Sequence, residues 1–326
     1  MKTLTKSLSA SLAAATFALV TPVAADTYVV AVGAASNSLQ GKSAARFAEQ
    51  LQEQLGDAHT VEFYADAQLG NEKELMQKLR LGTVDFTLIS SIMANIAPEF
   101  ALFDMPFLVQ DRAHLKAIDA EIVQPDLAPL ARKAGLEVLS TWENGFRQIT
   151  NNARPINTPS DLDGLKIRTP SSEWRVSMFK EWGTNPTPMS FSEVFVALQT
   201  GTMDGQENPL TNIVGANFQE VQGYLSLTGH VYSPTYLTTG AETWSKLPDE
   251  VKTAATEVAA SVQDWSLNQG ETADGELVEK VRAAGVEVNE ADKAAFIEAS
   301  APIYAAFSSQ VPGGEALVSR AQELAK

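Results

Sequence analysis

The sequence predicts an α/β fold with a largely parallel sheet, on three observations. Strand-like apolar runs alternate with helical periodicity from residue 28 onward. The 326 residues suffice for two domains. With 44% hydrophobic and 20% charged residues and no cysteine, the chain can build a large core without disulfides. Its 20 glycines and 15 prolines are too few for a collagenous or low-complexity chain. A net charge of -16, from 40 acidic and 24 basic residues, removes the general electrostatic footprint for nucleic acid or anionic lipid.

Residues 1–25 read as an export signal and are set aside from the fold. Lys2 and Lys6 precede an Ala/Leu/Phe/Val-rich run over residues 8–20, and Val23-Ala24-Ala25 has the small residues of a cleavage site. The run is shorter than the roughly 20 residues that span a bilayer. Cleavage after Ala25 would leave Asp26 as the N-terminus and place the protein outside the cytoplasm, in the periplasm. Disulfides are permitted there and none is possible here, so the cores must suffice.

The elements follow in order. Residues 28–32 are a β-rich apolar run. Residues 37–55 place Leu39, Ala44, Phe47, Leu51 and Leu55 near helical spacing, and residues 61–64 read as the next strand. Helix returns over 72–81. Residues 84–89 form a strand interrupted only by Asp85 and Thr87, 111–134 are mainly helical, and 136–142 are another strand. The polar residues 150–160, with Asn151, Asn152, Pro155 and Pro159, read as an exposed connection between lobes. Residues 249–284 are broken only by Gly270 and Gly275. Half of that stretch would make roughly 27 Å of helix, enough for a spine along both lobes.

Two patterns recur. Leu79-x-x-Gly82-Thr83-Val84-Asp85 is echoed by Leu198-x-x-Gly201-Thr202-Met203-Asp204. The Gly135 segment (131–138) is echoed around Gly285 (281–288). Each reads as a helix end, a glycine stop and an entering strand. Either this is the common unit of α/β proteins, or the chain has two lobes of similar plan.

Catalytic patterns are missing. His59, His114 and His230 are isolated and fit surface or structural roles. There is no cysteine nucleophile, Gly-x-Ser-x-Gly elbow, phosphate loop or dinucleotide fingerprint. Asp161-Leu162-Asp163-Gly164 is followed by Lys166 and Arg168 where a calcium loop needs oxygens, so it reads as a turn into a strand. That strand is more informative. Alternation sets Leu165 and Ile167 opposite Lys166 and Arg168, with Arg168 at the strand end. Ligands bind at the ends of parallel strands, and a guanidinium there grips a carboxylate through two hydrogen bonds, although a lone arginine is more often solvated. Arg147, beside the supposed connection, is a second candidate anion ligand. Phe191 and Trp142 suit either ligand walls or core. Asp204-Gly205-Gln206-Glu207-Asn208-Pro209 suits either a pocket edge or an ordinary turn.

Asp-Leu-Asp-Gly-Leu-Lys-Ile-Arg-Thr-Pro at 161–170, Asn-Pro-Thr-Pro-Met-Ser-Phe-Ser-Glu-Val-Phe at 185–195 and Ala-Leu-Gln-Thr-Gly-Thr-Met-Asp-Gly-Gln-Glu-Asn-Pro at 197–209 stand together with Gln68-Leu69-Gly70-Asn71-Glu72 and Gly145-Phe146-Arg147-Gln148. On these motifs the chain resembles an extracytoplasmic solute receptor of the tripartite ATP-independent periplasmic (TRAP) transporter family, dicarboxylate-receptor type. The resemblance covers essentially all of the chain after residue 25. It implies a two-lobed periplasmic binding protein-like fold, with strands crossing between lobes and a long bridging helix. Lobe 1 would take 26–145 plus 234–273, and lobe 2 would take 146–233 plus 274–326.

The same resemblance implies a receptor without enzymatic activity, cofactor or metal, acting as a monomer that passes a small organic anion to small and large membrane subunits. Arg168 would form the main salt bridge to the ligand carboxylate, assisted by Arg147. Asn208 would donate its amide, Phe191 would form an apolar wall, and Glu72 would contact hydroxyls or amines. Sialate-binding members carry glutamate where this chain has Ser90. Sialate is thereby disfavoured; an acidic Glu72 near two arginines suits a hydroxylated monocarboxylate such as a uronate or aldonate, with a C4-dicarboxylate next because a second carboxylate could use Arg147.

Overall fold

The computed structural model describes residues 26–325, so the expected export signal lies outside the described residues. Its strands are β1 (Asp26–Ala31), β2 (His59–Tyr64), β3 (Phe86–Ile89), β4 (Leu136–Asn151), β5 (Lys166–Thr169), β6 (Asn185–Pro188), β7 (Gly205–Pro209), β8 (Tyr224–Leu227), β9 (Tyr232–Gly240) and β10 (Glu287–Glu290). Its helices are α1 (Leu39–Leu55), α2 (Glu72–Leu81), α3 (Arg112–Ile118), α4 (Ala128–Lys133), α5 (Glu173–Glu181), α6 (Val194–Gln199), α7 (Leu210–Gly215), α8 (Ala241–Lys246) and α9 (Asp249–Ala283), with α10 to α12 covering Lys293–Ala299, Ala301–Gln310 and Gly314–Glu323.

The strands run in the order β2-β1-β3-β9-β4-β7-β5-β6, and β8 joins β4 to β10. The expectation of a largely parallel sheet holds within each half and fails at the join. Pairs β1–β2, β1–β3, β5–β6, β5–β7 and β8–β10 are parallel, whereas β3–β9, β4–β9, β4–β7 and β4–β8 are antiparallel. The antiparallel pairs arise because β4 runs from one half into the other and β9 returns beside it.

This corrects the supposed connection at 150–160. The crossing lies inside β4, which extends nine residues past the predicted end at Trp142. Leu136 to Phe146 pairs with β9, and Arg147 to Asn151 pairs with β7, with a register shift between Glu143 and Gly145. Residues 142–151 look like a linker because they are polar, yet nearly all are buried, and their backbone groups are satisfied by ladder hydrogen bonds. Asn152 to Thr158 is a loop wholly on the far side, exposed at Asn152 to Arg154 and anchored by the buried Ile156. There the Asn152 side chain bonds Gly223 and Val221, and Arg154 bonds the carbonyls of Asp161 and Asp163.

The recurring Leu-x-x-Gly-Thr-x-Asp pattern makes the same joint twice. Gly82 and Gly201 take left-handed φ values of 68° and 70°, ending α2 and α6. Asp85 then accepts from the Val29 amide at 2.8 Å, and Asp204 accepts from the Lys166 amide at 2.8 Å. Each carboxylate ties the strand after a helix to the first strand of its half, which favours two lobes of similar plan over coincidence.

Two helices position the cleft. At the start of α2, Asn71 caps the Lys73 and Glu74 amides while Glu74 bonds back to Asn71, and Leu75, Met76 and Leu79 are buried. This sets Glu72 in the first turn. The predicted spine is α9, 35 residues and about 52 Å at 1.5 Å per residue. Val251, Ala255, Val258, Ala259 and Val262 pack with Phe47, Leu51 and Trp142, while Val281 packs with the cluster around Ile213 and Phe218. Midway, Gly270 lets α9 pass directly over Glu143. That carboxylate takes hydrogen bonds from Arg112 (2.9 Å) and the Tyr232 hydroxyl, and Arg112 also reaches Asp274 on α9 at 3.1 Å.

Candidate functional site

A cleft of about 750 Å³ opens where the two halves meet. Glu72 and Ser90 line it from one side, Arg168, Phe191, Asn208 and Asn212 from the other, and Asn144 and Arg147 from the crossing strand. Six of the seven predicted site residues are therefore brought together.

Trp142 is the exception. It is fully buried beside Phe47, and its indole N–H donates to the Ala259 carbonyl at 2.9 Å. A large aromatic on a strand facing a helix is core, and the hydrogen bond satisfies its one polar atom. It is no ligand wall.

Arg168 is the penultimate residue of the short strand β5, where alternation sends Ile167 into the core and Arg168 toward the cleft. It is only 3% exposed. Its Nε (3.0 Å) and Nη2 (2.5 Å) donate to the Met189 carbonyl, and among the described residues no carboxylate lies within ion-pair distance. Burial pulls this guanidinium down to about 9, against the opposing field of Glu207. It remains cationic at neutral pH and lacks a bonded counter-ion.

Arg147 differs from the expectation of a second free anion ligand. Its Nε and Nη2 grip the Glu207 carboxylate, and Nη2 also reaches Asn208 Oδ1 at 3.1 Å. Glu207 is shared: Arg175 Nη1 donates to it at 2.8 Å, and His230 Nε2 lies 3.2 Å away. The other side of Arg175 donates to Asp104 at 2.6 Å. Burial alone would raise the Glu207 carboxyl; Arg147, Arg175 and the His230 hydrogen bond outweigh it and hold the group well below the usual carboxylate range. Burial pushes His230 the other way, down to about 4, so the imidazole is neutral. Asn208 Nδ2 already donates to Gln206 at 2.6 Å, so half of its predicted donor capacity is used inside the protein.

Glu72 accepts from the Ser90 amide. Burial raises its carboxyl to about 7, against that hydrogen bond and the fields of Arg168 and Arg147. Ser90 Oγ donates to the Pro234 carbonyl (2.7 Å) and accepts from Asn144 (3.2 Å), so it braces the wall. Phe191 sits at the rim against Phe218, with ring centroids 5.6 Å apart.

The sequence reading missed Arg175, Asp104, Asn144 and Asn212, and it treated His230 only as structural. The one available signal was the dense polar run 204–209, since so many polar groups in a buried strand require partners. The partners themselves stand 23 to 71 positions away from the residues they bond and follow no spacing rule.

Two sheet-bearing halves joined by crossing strands, with a buried unpaired guanidinium in the cleft between them, define a two-lobed solute-binding protein. The comparisons agree. The model of the bacterial extracellular solute-binding protein family 7 matches residues 30–310. The 2,3-diketo-L-gulonate-binding periplasmic protein YiaO of Escherichia coli K12 is 35% identical over 286 residues, 86% of this chain and 87% of that protein. A TRAP periplasmic solute-binding protein of Polaromonas, solved with bound D-erythronate, superposes with a TM-score of 0.85 at 33% identity, covering 91% of this chain and 98% of that one. Another, of Sulfurospirillum deleyianum, solved with succinate, gives 0.87 at 30% identity over 93% and 100%. The chain belongs to this family of periplasmic receptors, which bind substrates and are not enzymes.

Proposed function

We propose that this protein is the periplasmic receptor for a hydroxylated monocarboxylate, a sugar acid of the aldonate or uronate kind. It delivers this ligand to the small and large membrane subunits of a TRAP transporter, after export and removal of residues 1–25. It acts as a monomer that closes lobe 1 (26–145 plus 234–273) on lobe 2 (146–233 plus 274–326).

The carrying observation is Arg168, buried in the cleft without a carboxylate partner while Arg147 and Arg175 are both neutralised by Glu207 and Asp104. One open cation supports one ligand carboxylate. Glu72 and the amides around it suit hydroxyls, as do the D-erythronate of the Polaromonas protein and the diketogulonate of YiaO. The succinate of the Sulfurospirillum protein keeps a C4-dicarboxylate as the second reading, but here Arg147 offers a second carboxylate only a guanidinium that is already paired.

The test is a thermal-shift panel of aldonates, uronates, dicarboxylates and keto acids. A ligand at 100 times its Kd stabilises by about 2.7 kcal/mol. Unfolding about 300 residues carries an entropy of roughly 0.6 kcal/mol per kelvin, so the expected shift is about 4 °C. Arg168→Ala abolishes it. Arg168→Lys largely does so too, because an ammonium lacks the planar fork. If no organic acid raises the melting temperature, the proposal fails.

A further inference from the structure

Asn212 is the third residue of α7, lines the cleft, and is only 4% exposed. Its Oδ1 is a buried acceptor with no hydrogen-bond partner. An amide can usually be turned over to remove such a vacancy, but here the surrounding network forbids it.

The polarity is imposed from two ends. On one side, the Pro234 carbonyl can only accept, so the Ser90 hydroxyl must give it its proton (2.7 Å). Ser90 Oγ is then an acceptor toward Asn144, which must present Nδ2 to it (3.2 Å), leaving Asn144 Oδ1 to face Asn212. On the other side, the Arg147 guanidinium can only donate, so Asn208 must turn Oδ1 toward it (3.1 Å). That same oxygen lies 3.5 Å from Asn212 Nδ2. Asn212 therefore has acceptor oxygens on both neighbours, at 3.0 and 3.5 Å, and must point its N–H bonds at them. Turning the amide over would set oxygen against oxygen at both contacts.

The backbone is equally constrained. Pro209 precedes α7, and at the other end of this helix a β-carbon on Gly215 would meet Ser38, which caps the start of α1, at 2.9 Å, so α7 is wedged in place. The unpartnered Oδ1 thus keeps its polarity in a side chain that lines the cleft.

From this we infer that Asn212 Oδ1 is the specificity determinant for a hydroxyl donor near the ligand carboxylate. The inference rests on the reading of the cleft as an organic-acid site and narrows it. A buried acceptor disfavours any ligand that brings another acceptor or a methylene to that position. The neutral hydroxyl suits it better than an ammonium, which would sit in the field of the unpaired Arg168. A 2-hydroxy acid satisfies both Arg168 and Asn212, whereas a 2-deoxy acid or succinate satisfies only Arg168.

The test uses titration calorimetry with the full mature chain. The probes are D-gluconate, D-galactonate and D-erythronate, the 2-deoxy and 2-amino-2-deoxy forms of whichever binds most tightly, and succinate. The expected result is a Kd ten- to a hundredfold weaker for the 2-deoxy acid than for the 2-hydroxy acid. Asn212→Leu, nearly the same size, should reduce that ratio to about one while still binding the carboxylate. Asn212→Asp sets an oxygen against the acceptor oxygens of Asn144 and Asn208 and should weaken both ligands. Melting temperatures of the unliganded variants confirm that each is folded.

Equal affinity of wild type for the hydroxy and deoxy acids overturns the inference. So does an undiminished ratio in Asn212→Leu, tighter binding of the amino form, or binding of succinate with no hydroxy acid binding. In all of these the organic-acid reading survives. If no organic acid binds at all, both readings fall.

Discussion

Gly270 and Gly275 stand five positions apart in α9, and the same substitution should have opposite effects at the two sites. In an exposed helix interior, alanine is favoured over glycine by about 0.8–1 kcal/mol. At Gly275, an added β-carbon meets no atom within 4 Å, so Gly275→Ala should gain that full amount. At Gly270 the β-carbon would lie 2.5 Å from Cδ and Oε1 of Glu143. Glu143 cannot simply swing away. It is 1% exposed, receives Arg112 at 2.9 Å and the Tyr232 hydroxyl, and is walled in by β4 and β9.

Accommodating the methyl means losing the Arg112 pair. Removing a partner from a buried ion pair costs about 3–5 kcal/mol. Because Arg112 keeps Asp274, the lower part of that range applies, and subtracting the helix gain leaves a net loss of about 2–3 kcal/mol. With roughly 0.6 kcal/mol per kelvin of unfolding entropy, Gly270→Ala should melt about 3–5 °C below wild type and Gly275→Ala about 1–2 °C above it. Calorimetric melts of the three proteins at pH 7, with urea curves to confirm the ranking, decide the matter. A Gly270→Ala protein that melts at or above wild type would refute the claim that α9 is held against Glu143.

Two further outcomes are expected. Glu207→Gln leaves Arg147 and Arg175 buried against an amide and should destabilise by about 3–5 kcal/mol in urea denaturation; a loss below about 1 kcal/mol would mean that the cluster is hydrated or rearranges. His230 and Glu72 should contribute opposed slopes to the pH dependence of stability between about pH 4.5 and 6.5. His230 is held down to about 4, so the folded protein refuses a proton that the unfolded chain accepts, and stability falls as pH drops from 6.5. Glu72 is raised to about 7, so its contribution is complete below pH 4.5 and fades as pH rises to 7. Each slope is at most about 1.4 kcal/mol per pH unit. Relative to wild type, Glu72→Gln should therefore make the slope of stability against pH more positive over this interval, and His230→Gln more negative; identical profiles for all three proteins would contradict the assignment.

What the sequence disclosed follows from the range of the forces involved. The helix at 72–81 was legible to the residue because its determinants are local: the Asn71 and Glu74 capping pair, apolar residues at helical spacing, and Gly82. The 35-residue spine was legible for the same reason. The far half of β4 was not, because Glu143, Asn144, Arg147, Gln148 and Thr150 look solvated until their partners across β7, β8 and β9 are known. Arg168 was found from alternation along β5, a local signal. The neutralisation of Arg147 was not, since Glu207 lies 60 residues away. Trp142 was ambiguous because its choice between core and cleft depends on which element covers it, and α9 begins more than a hundred positions later.

The shared strand β4 has a consequence for how the molecule can be divided. Its 16 residues are hydrogen-bonded to one set of strands at the start and another at the end, so the two lobes have one backbone ladder in common. A fragment ending near residue 145 would expose the unpaired edge of β3, since β9, which covers it, comes from a later part of the chain. Neither lobe should be obtainable alone as a soluble piece, and proteolysis within β4 should be as slow as global unfolding. The melt should be a single cooperative transition, although the molecule looks like two bodies.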